Sequence, residues 1–389
     1  MTGGVVVVGA SVGGVRVVQA LRARGYEGPI RLIDKEHGGP YDKPPLSKAF
    51  LTDTPLPDIS LTSVGELADL HVEYTPGVEA AGLDSAHSVL HTSAGSMSYD
   101  DLVLATGATP RRLHDFEGIS GVTTFRTRAD ALVVREALAR RQRIVVLGGG
   151  FIGAEVASSA RAAGAQVTVI EASERLMARV LPPETSRALT DLHHRHGVEL
   201  VLGSTAMPYA PRGRIEAVVL ADGRAVRADL VVVAVGVQPS TGWLHDGGLS
   251  VSDGVECDST LRAVGAEHVW AVGDVARWWH PRFQCSTRVE HWTTAREQAA
   301  ILARNIASDE HRMCDLIPFV WSDQHGARIQ HVGQTGDAVE VEEWRDGEAS
   351  LFTYRKDGVV VGATGINAAA KVSGIRRQLA APAPAKQLG

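Results

Sequence analysis

Two glycine-rich loops, each followed at a set distance by a carboxylate, are the residues of this chain best placed to do chemistry. The first, Gly9-Ala-Ser-Val-Gly-Gly14, follows four consecutive valines and runs into the apolar positions Val15, Val17, Val18 and Leu21. The second, Gly148-Gly-Gly-Phe-Ile-Gly153, follows Ile144-Val-Val-Leu147 and runs into Ala154-Glu-Val-Ala157. Asp34 stands twenty residues beyond Gly14, and Glu171 eighteen beyond Gly153. In a strand, loop and helix of this kind the glycines permit a tight turn and close helix-to-strand packing. The helix N-terminus offers N–H groups and a positive dipole end to a pyrophosphate, and the acid binds an adenosine ribose. A single loop of this type is also what any tight strand-to-helix turn looks like; two complete units read as sites for two dinucleotides. The first loop departs from the pattern at its middle position, where Ser11 stands and Gly150 is its counterpart.

Three further stretches carry candidate chemistry. Tyr41-Asp-Lys-Pro-Pro-Leu-Ser-Lys48 is stiffened by Pro44 and Pro45, and residues 46–51 read as one short helix that presents Lys48 as a positioned cation or a solvated surface lysine. His268-Val-Trp-Ala-Val-Gly273-Asp274 puts an acid just past a strand's carboxyl end, where α/β sheets hold ligands and where an Asp also caps ordinary turns. Thr294 and Glu297 read as a capping box opening a helix over 295–306, with Trp292 just ahead of it as a flat face or as packing. His193-His-Arg-His196 closes a helix over 183–196; consecutive helical positions diverge, so this run reads as structural, with no metal expected.

The elements that position these groups repeat. Strands at 30–33 and 166–170 lead to Asp34 and Glu171, and Asp101-Leu-Val-Leu-Ala-Thr-Gly107 is echoed by Asp229-Leu-Val-Val-Val-Ala-Val-Gly236. Each echo ends in Gly and is soon followed by Pro110 or Pro239, which places domain boundaries near 110 and 240. Residues 73–98 read as a small antiparallel excursion. From 317 onward, strands and hairpins, with turns at Asp346-Gly347 and Asp357-Gly358, precede a final helix over 368–379.

Composition excludes several classes. The 389 residues, 44% hydrophobic and 22% charged, predict two or three globular domains. A net charge of −6 with no basic run argues against nucleic-acid binding, and no apolar stretch is long enough to span a bilayer. Cys257, Cys285 and Cys314 are scattered without a C-x-x-C, which fits a reducing cytoplasm; the N-terminal valines lack the basic flank of a signal peptide.

Pro40-Tyr-Asp-Lys-Pro-Pro-Leu-Ser-Lys48, Ala105-Thr-Gly107, Gly148 to Glu155, Val272-Gly-Asp274, Glu290-His-Trp292 and Trp321-Ser-Asp-Gln324 carry a family resemblance over nearly the whole chain. The chain resembles the FAD-dependent NAD(P)H:ferredoxin reductases of the putidaredoxin reductase and biphenyl dioxygenase reductase type. The resemblance implies an α/β fold: two Rossmann-like, glutathione-reductase-like dinucleotide-binding domains and a C-terminal α+β interface domain. Their expected spans are 1–110 with 240–316 for FAD, 111–239 for NAD(H), 317–380 for the interface domain, and a flexible tail at 381–389.

The same resemblance assigns the residues. Lys48 is placed beside the reactive flavin nitrogen and paired with Glu155, with Trp292 completing the catalytic set. FAD contacts are expected at Gly9, Ser11, Gly14, Asp34 and Glu36, and at Lys43, Pro44, Ala105, Thr106 and Gly107. Gly273, Asp274 on the ribityl chain, Glu290 and His291 complete them. NAD contacts are expected at Gly148, Gly150, Phe151, Ile152, Gly153, Glu155, Glu171 and Gly236. Ser11 and Lys43 stand where the family usually has Gly and Arg, so phosphate approach and adenosine contacts differ there.

The implied activity is hydride transfer from the nicotinamide to FAD, then single-electron transfer to a [2Fe-2S] ferredoxin feeding a haem monooxygenase or a Rieske-type dioxygenase. Glu171 favours NADH over NADPH, since a carboxylate binds ribose hydroxyls and repels a 2′-phosphate, although Arg175 nearby softens that repulsion. The expected state is monomer or homodimer. Arg277, Arg282 and Arg288 are candidates for a basic rim that docks an acidic partner or for solvated surface. Disulfide reductases and cysteine peroxidases need a flavin-facing cysteine, and none precedes Cys257. The alternative function is a flavin-dependent redox sensor or scaffold resembling apoptosis-inducing factor.

Overall fold

The structure is a computed structural model and describes residues 3–335 and 340–381. The tail expected at 381–389 lies, but for its first residue, outside the described residues. The chain divides into two compact units: Met1–Pro44, Asp58–Thr109 and Val237–Leu316 form one, and Pro45–Pro57, Pro110–Gly236 and Ile317–Gly389 the other.

In the first unit the valine run becomes the middle strand of a five-stranded, all-parallel sheet, Val5–Val8. β-Branched side chains are stiff at χ1 and pack well on a pleated surface, and a strand covered on both faces has no reason to alternate. All four valines are buried. Val5 pairs with Ile30 on one side and with Asp101 on the other. Asp101–Leu104 pairs onward to Val269–Ala271, and Ile30–Asp34 to Val72–Pro76. The crossover helix Val12–Ala23 buries Val12, Val15, Val18 and Leu21 at a three-residue spacing, and the helix Trp292–Ile306 packs against it.

Two expectations are corrected in this unit. Val72–Pro76 is a parallel strand of the main sheet, and only Ala80–Asp84, Val89–Thr92 and Gly95–Ser98 form the antiparallel excursion. As an edge strand it buries only Val72, so its sequence lacks the continuous apolar run of an inner strand. The late helix begins at Trp292, not at 295, and its N-cap is His291 in place of Thr294. His291 has extended backbone and its ring accepts from Thr293 N, at 3.3 Å, whereas Thr294 is buried on the helix's inner face.

The second unit repeats the plan. Ile144–Leu147 is the middle strand of another all-parallel sheet, flanked by Val167–Glu171 with Glu199–Leu202, and by Leu230–Val233 with Val122–Thr124. The C-terminal part is a five-stranded antiparallel sheet in the order Phe319–Gln324, Ala327–Gly333, Val359–Ile366, Ala349–Lys356 and Glu340–Asp346, with helix Ala369–Ala380 against it. Asp357-Gly358 turns with both residues at positive φ, 50° and 74°, the twist a two-residue hairpin needs.

The helix Phe151–Ala162 buries eight of its twelve residues, polar Glu155, Ser158 and Ser159 among them. It is covered so fully because Phe319–Gln324 and the short helix Ala49–Thr52 pack on it in addition to its own sheet. The single helix expected over 46–51 is two pieces, a 3-10 turn Pro44–Ser47 and the α-helix Ala49–Thr52. Lys48 between them has φ −123° and ψ −116°, so the break falls on the residue whose side chain turns inward to Glu155.

Candidate functional site

Each parallel sheet ends in a loop built for close approach. Gly9 has φ +106°, and a Cβ there would lie 2.4 Å from the Ala105 carbonyl oxygen; Gly148, at φ +105°, stands in the same relation to Ala234. A Cβ on Gly14 would lie 1.9 Å from the Gly9 oxygen, and one on Gly153 would lie 2.1 Å from that of Gly148. These glycines seat each helix directly over its loop.

Ser11 fits the first loop without strain. It is the helix N-cap at φ −87° and ψ −168°, close to Gly150 at −77° and −176°, and a Cβ on Gly150 would meet nothing within 4 Å. Neither residue caps its helix with a side chain, which leaves the first-turn N–H groups facing outward. Both cradles fit a dinucleotide pyrophosphate. Phe151 and Ile152 open the second helix, and Ile152 is exposed.

The acids hold the loops. Asp34 accepts from Ala10 N at 2.5 Å and from Glu36 N at 2.8 Å; Glu171 accepts from Gly149 N at 2.6 Å and from Ser173 N at 2.8 Å. Each carboxylate therefore ties the strand end to its glycine loop, with lone pairs remaining for a ribose.

Around the first loop, Glu36 accepts from Tyr41 OH at 2.5 Å and from Lys43 Nζ at 2.9 Å. Burial alone would raise the Glu36 pKa, but the Lys43 ammonium and these hydrogen bonds outweigh it and hold the carboxyl below its usual range. Lys43 thus carries its charge on Glu36, and its ammonium sits over the Tyr41 ring. Pro44 starts the 3-10 turn. Ala105 N donates to Val8 O, Thr106 Oγ1 to Ser240 O, and Ser240 N to Gly107 O, so this strand end is pinned on both sides. Gly273 N donates to the buried Gln298, which sets the turn carrying Asp274. Trp292 Nε1 donates to Asp42 Oδ1 at 2.7 Å, with the Arg296 guanidinium over its ring.

Two of the three arginines offered as a basic rim or as solvated surface, Arg277 and Arg288, form ion pairs. Arg277 pairs with Glu256, and Arg288 lies mostly buried between Asp253 and Glu290.

In the second unit, Gly236 has φ +104°, and its carbonyl accepts from Arg111 N. A Cβ at that position would lie 3.0 Å from Arg179 Nη2. Lys48 Nζ lies 2.7 Å from Glu155 Oε2, with the Glu155 side chain only 5% exposed. Ser47 Oγ donates to the same oxygen at 2.5 Å, and Ser322 Oγ donates to Oε1 at 2.6 Å. A buried ion pair needs its remaining lone pairs filled, and these two hydroxyls fill them.

Ser47 and Ser322 are site residues that loop reading misses, since they lie 108 and 167 positions from Glu155. One signal was present: Ser322 and Gln324 sit two apart on a strand and so share a face, and both are fully buried. His193 belongs to this network too, through Gln324.

Two of the three cysteines are buried. Burial pushes the Cys257 thiol well up and that of Cys314 up to about 12.

Residues 3–299 match the family described as pyridine nucleotide-disulphide oxidoreductase, and residues 319–388 match reductase C-terminal. The chain is 35% identical over 376 residues to the biphenyl dioxygenase system ferredoxin–NAD(+) reductase component of Paraburkholderia xenovorans strain LB400, covering 95% of this chain and 91% of the relative. It is 36% identical to a rubredoxin-NAD(+) reductase of Pseudomonas putida, over 86% of this chain and 87% of that one. Among solved structures it superposes on the covalent putidaredoxin reductase–putidaredoxin complex with a TM-score of 0.91 at 28% identity, covering 97% and 93% of the two chains.

Proposed function

The chain belongs to the pyridine nucleotide-disulphide oxidoreductase family, with a reductase C-terminal region, and from that premise we propose that it is an NADH-dependent, FAD-containing ferredoxin reductase. The observation that carries this reading is the pair of loops with one plan: the same glycine geometry, the same uncapped helix start and the same carboxylate-to-loop hydrogen bonds. Two dinucleotides on one chain are what a hydride exchange between cofactors requires. The first loop takes FAD and the second the nicotinamide coenzyme. FAD, when bound, accepts a hydride as a pair of electrons and gives them up singly.

The protein's own groups bind, orient and supply charge. The outward N–H groups at Ser11 and Gly150 bind the pyrophosphates, and Asp34 and Glu171 accept from ribose hydroxyls with their remaining lone pairs. Glu171 disfavours the 2′-phosphate of NADPH by charge. Lys48, paired with Glu155, supplies the positive charge that hydride arrival calls for, and partial burial of the pair makes that charge count for more than it would in water. Asp274, on a turn fixed by Gln298, and Trp292, tied to Asp42, are assigned to orienting the flavin. Glu36, Lys43, Glu290 and His291 serve this site by bracing its loops and helix start.

The relatives named for ferredoxin and rubredoxin, and the solved putidaredoxin complex, support a small iron–sulfur protein as acceptor. We take it to be a [2Fe-2S] ferredoxin. The test is an anaerobic titration of the purified protein with NADH, followed by oxidised [2Fe-2S] ferredoxin, watching the visible spectrum. Bleaching of the flavin by NADH and its prompt return with ferredoxin reduction is the expected result. Absence of bound flavin, or bleaching with no onward transfer to ferredoxin or rubredoxin, overturns the proposal.

A further inference from the structure

The buried acid of the charge pair is the end of a longer chain of hydrogen bonds that runs back through the second unit. Ser322 Oγ, on Glu155 Oε1, accepts from Gln324 Nε2 at 2.9 Å; Gln324 Oε1 lies 3.0 Å from His193 Nε2; His193 Nδ1 lies 3.1 Å from His325 Nε2. His325 sits in the two-residue turn His325-Gly326, both at positive φ, and its ring stacks on His196 at 4.4 Å. Ser322, Gln324 and His193 are fully buried.

We infer that Gln324 sets the direction of this chain, so that every link donates toward Glu155 and keeps it ionised, which in turn keeps Lys48 charged and in place. This rests on the role given to Lys48 above. Ser322 and Gln324 are then positioning residues of the hydride-accepting half-reaction.

The direction follows from counting hydrogens. A carboxylate only accepts, so Ser322 must give its one hydrogen to Glu155 and must receive from Gln324. An amide that gives its N–H₂ to Ser322 turns its oxygen to His193, which must then carry its proton on Nε2. Burial holds His193 below the ordinary histidine range, and burial, followed by the charges of His193, His196 and Arg161, takes His325 down to about 3. Both rings are therefore neutral near pH 7. A neutral His193 protonated on Nε2 has a bare Nδ1, which accepts from His325. No link is left with two hydrogens or with none.

Turning the Gln324 amide by half a rotation reverses every link. Its oxygen would then draw the Ser322 hydrogen away, and Glu155 Oε1 would face a lone pair, an arrangement stable only with a proton on Glu155. The orientation of one amide is thereby tied to the ionisation of the acid that holds Lys48. The groups facing Glu155 are Ser47 and Lys48 from the segment before it and Ser322 from the C-terminal strand; those behind them are His193, His196, His325 and Arg161.

The test follows Glu155 itself. Isotope-edited infrared difference spectra of the holoprotein, with the spectrum of Glu155→Gln as blank, report protonation of that carboxyl across pH. A hydrogen bond to a charged group predicts that Ser322→Ala raises the pH of Glu155 protonation by about one to two units, and that Ser322→Thr, which keeps the hydroxyl, restores it. Gln324→Met, which fits the same space but offers Ser322 no hydrogen, raises it too, and flavin midpoint potential measured against pH shifts its inflection with it. Unchanged Glu155 protonation in both Ser322→Ala and Gln324→Met overturns the inference. If Glu155→Gln leaves hydride transfer and flavin potential as they were, the role of the pair fails and the use of the chain with it. If that variant is impaired while the chain variants behave as wild type, the chain alone is refuted.

Discussion

The two glycine loops share a plan, yet all four residues between their first and last glycines differ, and the first two of those differences meet unlike surroundings. In the second loop, Gly149 donates to Glu171; a Cβ on Gly149 would lie 2.5 Å from Leu176 Cδ2 and 3.2 Å from Glu171 Cβ. In the first loop the same place is taken by Ala10, whose methyl is buried, and its acid is Asp34, one methylene shorter. The other of these two, Ser11 against Gly150, falls where the backbone is extended and the space open. A motif glycine matters where a carbonyl or side chain lies against it.

The strongest way to break the likeness is at the closest approach. Gly14→Ala and Gly153→Ala each drive a methyl into a backbone carbonyl that cannot move without the loop. Gly14→Ala is expected to yield protein without bound flavin, whereas Gly153→Ala keeps the flavin spectrum and loses at least about a hundredfold in NADH affinity, on the order of 3 kcal/mol, by anaerobic titration. Loss of flavin from both, or from neither, would mean that the loops are not assigned as proposed.

Acid separates the units by a different route. Burial holds His331, in the second unit, down at about 4 against 6.5 in an unfolded chain. Between those values the unfolded state binds the extra proton, so stability is complete above pH 6.5 and falls as pH drops toward 4. The loss from His331 alone is of order 3 kcal/mol. Urea unfolding of the holoprotein at pH 7 and pH 4.5, followed by probes in each unit, is expected to show the second unit weakening more than the first, which has His280 alone among its histidines held low by burial, and His331→Gln to reduce that pH dependence, the remainder coming from His193 and His325.

A smaller effect sharpens the contrast. Gly149→Ala is expected to weaken NADH binding about tenfold, and Leu176→Ala in the same chain to recover most of it by removing the methyl group that the new Cβ would meet at 2.5 Å; additive losses in the double variant would refute the packing argument. Smallest of all, Ser11→Gly and Gly150→Ser should each leave FAD and NADH dissociation constants within about threefold, since neither position is crowded.

Much of this was readable along the chain. Four valines, a turn and an acid specify a buried parallel strand and its loop because all the groups involved are local or paired in register, as Val5 is with Ile30. The errors have local physical causes as well. Thr294 and Glu297 have the right types for a cap, yet Thr294 is needed in the core, and His291 caps in its stead. The lining of Glu155 was not readable: Ser47, Ser322 and His193 reach it, directly or through Gln324, only because three distant segments converge on one helix.

That helix has one more property. Glu155 stands just over a turn, about 6 Å along the axis, from the first helical residue Phe151, on a segment with no Pro between them. On the proposed assignment of the second loop, the spacer is a fixed ruler joining coenzyme grip to charge placement. Adding one residue to it would swing Glu155 about 100° around the axis and off Lys48, whereas exchanges at the strand end near Glu171 leave the gauge untouched. Grafting a foreign coenzyme loop onto this scaffold should preserve the count of residues from Gly150 to Glu155 before it preserves any of their identities.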